Sequence, residues 1–175
     1  MEANNMAGQN LERDCAHFGF TLTEKAGELA LKLSESRKLS KSDKAKIVNT
    51  ITKAIGILST DGPFAYIVWL EYRGSLKPAP NNIEENTAQI IHEKSFELLK
   101  HEDFIGKDVK DYKKLRDILI GQDETTGICK DIYQMFFVKS VIEKMLTYAL
   151  YKAKSLQVDE QHVVESDMAQ EVREQ

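Results

Sequence analysis

Chemistry needs convergent polar side chains, and this sequence offers few of them. Histidine adjoins acids at His92-Glu93 and at His101-Glu102-Asp103. Neither forms HExxH, whose i, i+4 histidines put two metal ligands on one helical face, so both read as solvated helix-end residues and no metal site is expected. His17 and His162 have no Gly-x-Ser-x-Gly elbow to serve, which argues against a serine hydrolase. GxGxxG and GxxxxGK[ST] are also absent, and with them the backbone cradles that hold nucleotide phosphates. Cys15 and Cys129 lie far apart with no CxxC and read as reduced packing residues. Cys129, beside Ile128 and Ile132, is expected to be a buried thiol rather than a nucleophile. The sequence predicts no catalytic residue and no cofactor.

What remains is charge. Six acids and one base fall in residues 158–175, a net −5 within a chain of −4, so residues 1–157 are close to neutral at +1. The tail, not the body, makes the protein acidic. Within the body, Lys32, Arg37, Lys38, Lys41, Lys44, Lys46 and Lys53 face only Glu35 and Asp43. Such an excess suits a polyanion. Lys46 and Lys53, seven apart, share a helix face with Thr50, and such a face can follow a phosphate backbone without reading bases. Lys38, Lys41, Lys46 and Lys53 are the expected phosphate contacts, with Arg73 and Lys77 as further ones.

The elements that must position these residues are helical. Ile47, Ile51, Ile55 and Leu58 recur at helical spacing up to Ser59-Thr-Asp-Gly-Pro63, where Gly62 can take a positive φ and Pro63 suits a first helical position. Phe64 to Leu70 are all apolar, which predicts a helix covered on most sides, with Trp69 in the core. The pattern predicts a central helical hairpin. Thr21-x-x-Glu24, Ser40-x-x-Asp43 and Asn82-x-x-Glu85 read as capping boxes or cap signals that open helices, and Asp108-x-x-Asp111 opens a short one stopped by Gly121. Pro78 and Pro80 break the chain between the second and third of these. A long helix is predicted from about Thr126 to Leu156, with Ile128, Ile132, Met135, Phe136, Ile142, Met145, Ala149 and Leu156 inward; at 1.5 Å per residue it would be about 45 Å long. Its narrow polar edge implies deep burial or a second partner.

The expected fold is therefore all-α: a single-domain bundle of about six helices around the hairpin and the long C-terminal helix. Residues 1–20 are expected to be a partly ordered N-terminal arm, 21–157 the bundle and 158–175 an acidic tail. No apolar run approaches the roughly 20 residues that cross a bilayer, and MEANNMAGQN lacks the basic head and apolar block of a secretory signal. A cytoplasmic protein without a membrane partner is expected.

Two stretches carry a family resemblance. Ile55 to Leu70, IGILSTDGPFAYIVWL, resembles the helix-turn-helix centre of the small helical subunit of type III-B (Cmr) CRISPR effector complexes, and Ile142 to Leu156, IEKMLTYALYKAKSL, is similar to that family's last helix. The resemblance implies a non-catalytic subunit that stacks with other copies of itself along crRNA and target RNA, beside the other Cmr effector subunits, and holds RNA phosphates in antiviral defence. The residues alone also admit a self-associating helical interaction module with no nucleic-acid role.

Overall fold

The computed structural model describes residues 3–121 and 127–158; the acidic tail expected from residue 158 onward lies almost wholly outside them. The chain is all-helical, and among the described residues there is no strand. Its helices are α1 (Ala3–Leu33), α2 (Lys41–Leu70), α3 (Ile83–His101), α4 (Leu115–Ile120) and α5 (Ile132–Lys154). A π-helical turn, Glu71–Ser75, continues α2, and 3-10 turns at Tyr112–Lys114 and Ile128–Lys130 lead toward α4 and α5. Among the described residues there are five α-helices rather than about six, because the two arms of the expected hairpin are consecutive segments of α2, divided at Gly62.

Local chemistry explains most boundaries. Ser40 sits in extended backbone and its side chain accepts from the Asp43 N–H, which opens α2; Asn82 does the same for Glu85 at the start of α3. Asp131 caps α5 by accepting from the Tyr133 and Gln134 N–H groups, so the last helix starts later than predicted and its 23 residues span about 34 Å. Thr21 is different. It lies within α1 and its hydroxyl donates to His17 O at 2.9 Å, so no cap forms there and one helix runs through the expected boundary at residue 20.

Contacts fix how the helices run. Along α1, Glu12 meets Tyr148, Cys15 meets Val141, Thr23 meets Ala149 and Glu24 meets Lys152, so α1 and α5 are parallel. Phe18 touches His101 while Lys25 faces Glu93, so α3 is antiparallel to α1. Lys44 reaches Leu156 O and Ser59 reaches Glu143, which sets the first segment of α2 antiparallel to α5. Beyond Gly62 the sense inverts: Tyr66 bonds Ser95 and Ser75 bonds His92, so this segment runs against α3. The two segments of α2 therefore run in opposite senses. Gly62, at φ 89° and ψ 179°, supplies a turn that L side chains rarely adopt, and buried Pro63 begins the return segment.

The core lies between α1, α2, α3 and α5, where Leu22, Ile47, Ile51, Leu58, Ile67, Leu98, Met145 and Leu146 are closed to solvent. Truncating one such residue to alanine typically costs about 2–5 kcal/mol. The expected covering of Phe64 to Leu70 is only partial: Tyr66, Ile67 and Leu70 are buried and Trp69 packs partly against the core, but Phe64 and Val68, one turn apart, are each about two-fifths exposed. No helix among the described residues is long and apolar enough to cross a membrane.

Candidate nucleic-acid interface

The six predicted contacts fall on four local settings. Lys38 lies in the connection between α1 and α2 and is exposed; Lys41 is the first residue of α2 and Lys53 lies about three turns on, both exposed and, among the described residues, without an ion pair. Lys46 is half-buried, with Nζ 3.4 Å from Asp43 Oδ1, the same residue whose N–H is capped by Ser40. Arg73 sits half-buried in the π-helical turn, away from the α2 lysines in sequence. Lys77 is bound to Glu85, whose carboxyl is held below the usual carboxylate range by the Asn81 N–H and by Lys77. An incoming phosphate would have to compete with that carboxylate.

The α2 face is not the strip that spacing suggested. Thr50, expected on the wet side, is buried, and its hydroxyl donates back to Lys46 O at 2.8 Å. The exposed line runs instead through Ala45, Asn49, Thr52 and Gly56, small and uncharged. At about 100° per residue Lys41 stands at the head of that line, while Lys46 and Lys53 share one edge of it. Cations thus border a shallow neutral face rather than cover it. Lys44, also counted in the local excess, is committed: its Nζ donates to Leu156 O at 2.7 Å and ties the end of α5 to the start of α2.

Histidines and cysteines also settle into place. His92, expected to be a solvated helix-end residue, is fully buried: Nδ1 bonds Ser75 Oγ at 2.9 Å, Nε2 has no partner among the described residues, and the ring packs edge-on to Tyr112. Sequence spacing held a signal for this, since Ala88, His92, Ser95 and Leu99 form a helical stripe and all four are buried. His101 does lie at a helix end and is exposed. Cys15 is buried and its thiol contacts Val141 O at 3.6 Å; burial, then the Glu102 charge, push it up to about 11. Cys129 is half-buried rather than buried, and burial raises its pKa as well. Neither environment favours a thiolate nucleophile.

A second surface went unpredicted. Ile132 and Phe136, expected inward, are more than half exposed, and Tyr133 and Phe137 join them on the first turns of α5. The inward residues of α5 are Val138, Val141, Ile142, Met145, Leu146, Ala149 and Ala153. Apolar periodicity runs along the whole helix, but the residues that are buried begin at Val138, and the turns before it are largely exposed.

With this geometry established, the chain was compared with protein-family models, curated proteins and solved structures, and none of the three gave a match.

Proposed function

We propose that this protein is a non-catalytic, cytoplasmic, RNA-contacting helical subunit of the type III-B (Cmr) CRISPR kind, binding crRNA and target RNA through phosphates beside other effector subunits and further copies of itself. The observation that carries this reading is the exposed group Lys38, Lys41 and Lys53 at the start and edge of α2, on a segment that ends in the Gly62 turn on which the family resemblance rests. The charge sits on the rim of a neutral face, which suits sequence-independent backbone contact better than base readout. Its test is binding of the purified chain to single-stranded and duplex RNA across a salt series, alone and with candidate effector subunits. Salt-sensitive binding without sequence preference, strengthened in the assembly, is expected; no binding in either state overturns it.

A second reading, a self-associating helical module, is favoured by the exposed apolar residues Ile132, Tyr133, Phe136 and Phe137. Aromatic side chains contribute heavily to protein interfaces, and contiguous exposed apolar surface commonly marks one. Both readings can hold in one molecule, since α2 offers the cations and α5 the aromatics.

A further inference from the structure

Three ligating side chains that the sequence holds far apart meet where α1 crosses the end of α3. Asp14 comes from α1, His101 is the last residue of α3 and Glu102 is its C-cap. His101 Nδ1 stands 3.1 Å from Glu102 Oε1 and 3.9 Å from Asp14 Oδ2, and one ligand atom from each residue lies within 4.8 Å of the other two. We propose that Asp14, His101 and Glu102 form a binding site for one divalent first-row transition ion.

Several features of the geometry carry this assignment. The two carboxylate side chains are only 13% and 20% exposed, yet they converge on a single ring nitrogen, which has at most one proton to donate. Asp14 Oδ1 takes long contacts of 3.4 Å from Nε and Nη2 of Arg13, while Oδ2 has no hydrogen bond among the described residues. A dication between the carboxylates would balance both charges at once. Bonds of about 2.0–2.2 Å to nitrogen and oxygen place neighbouring tetrahedral ligands roughly 3.3–3.5 Å apart. The two spacings to His101, 3.1 and 3.9 Å, need shifts of a few tenths of an ångström, and the two carboxylates, within 4.8 Å of each other, close by at most about 1.4 Å through side-chain rotation. The supports are rigid. The Glu102 N–H donates to Leu98 O at 3.0 Å, and the His101 ring is packed edge-on against Phe18 at 5.8 Å. The accumulated negative charge is also felt by neighbouring Cys15, whose thiol Glu102 and Asp14 both raise. One imidazole and two carboxylates suit zinc, cobalt or manganese, with the remaining positions left to water.

The test is titration of the chelator-stripped full chain with zinc, cobalt and manganese chlorides by calorimetry, with cobalt absorption and imidazole resonances read in parallel. One equivalent is expected to bind, to shift the His101 resonances and to raise the melting temperature. His101→Ala and Glu102→Gln should each weaken binding at least 10-fold while circular dichroism stays unchanged. Asp103→Asn, next along the chain but turned to solvent against Lys107, should bind as the parent does. Absence of one-equivalent binding, or equal binding by the parent and His101→Ala, overturns the site. So does an equal loss in Asp103→Asn, because the ion would then belong to the surface acids.

Discussion

His92 Nδ1 and Ser75 Oγ are 2.9 Å apart, a hydrogen bond between two side chains closed to solvent that joins α3 to the turn following α2. Burial pushes the His92 imidazole down to about 4, with Asp111 pulling weakly the other way. The folded protein therefore holds a neutral ring, while the unfolded chain takes up a proton near pH 6.5. Stability from this group is complete above about pH 6.5, falls as the pH drops and levels off below about 4, a total of roughly 3 kcal/mol. Glu93 opposes it: burial raises its carboxyl, so its contribution is fullest at low pH and is lost as pH rises through its folded value. Site-resolved imidazole titration separates the two, and a His92 resonance titrating near 6.5 would refute the prediction. A His92→Asn variant should lose less stability than the parent between pH 7 and 4.5.

At Gly19 the backbones of α1 and α5 come close together. A Cβ built there would lie 2.5 Å from Met145 O and 2.9 Å from Ala149 N, both backbone atoms that cannot swing aside. In an isolated helix Gly→Ala would stabilise by up to about 1 kcal/mol. Here the steric cost should win, and Gly19→Ala is expected to destabilise by about 2 kcal/mol in urea unfolding, within the usual range for overpacking. A neutral or stabilising result would mean that the helices part easily at this crossing.

Features set by neighbouring residues were legible in the sequence; those set by distant contacts were not. Ser40 and Asn82 cap helices because the acceptor and the N–H it takes are three residues apart, and Gly62-Pro63 turns the chain through its own backbone preferences. Thr21 had the same local signature as Ser40, but packing of α1 on α5 continues the helix through it. Thr50 lies on the buried side of α2 because the covered face is wider than the apolar stripe of Ile47, Ile51, Ile55 and Leu58 and takes in Asp43, Thr50 and Ala54 as well. Ile132 and Phe136 were misassigned for the opposite reason: helical periodicity shows a face to be apolar without showing what covers it. The meeting of Asp14 with His101 and Glu102 spans 87 positions, and no spacing rule reaches across it.

Charge reversal tests the α2 cations directly. Lys53→Glu should weaken RNA binding more than Lys46→Glu, because Lys46 already faces Asp43 at 3.4 Å and Lys53 has no ion pair among the described residues. Together the two changes should lower the slope of log affinity against log salt by roughly 1.5–2, the loss of two phosphate contacts. An unchanged slope in the assembled complex would remove both from the interface. Thermal unfolding should shift little for Lys53→Glu, since surface substitutions of this kind usually stay within about 0.5 kcal/mol, whereas Lys46→Glu, which sets a second acid beside buried Asp43, should lower it.

The exposed start of α5 makes a prediction of its own. Tyr133 and Phe136 contribute little to the fold at 82% and 54% exposure, so serine at both positions should leave stability nearly unchanged. If this face pairs copies of the chain, the same substitutions remove aromatic anchors whose loss commonly costs 2 kcal/mol or more, which corresponds to a dimer dissociation constant raised at least about 30-fold. Sedimentation equilibrium of the parent and the double variant over a wide concentration range reads both quantities. Self-association in the parent that is lost in the variant assigns the face to pairing. A parent that remains strictly monomeric at high concentration removes the second reading, and leaves phosphate binding at α2 as the function to be tested.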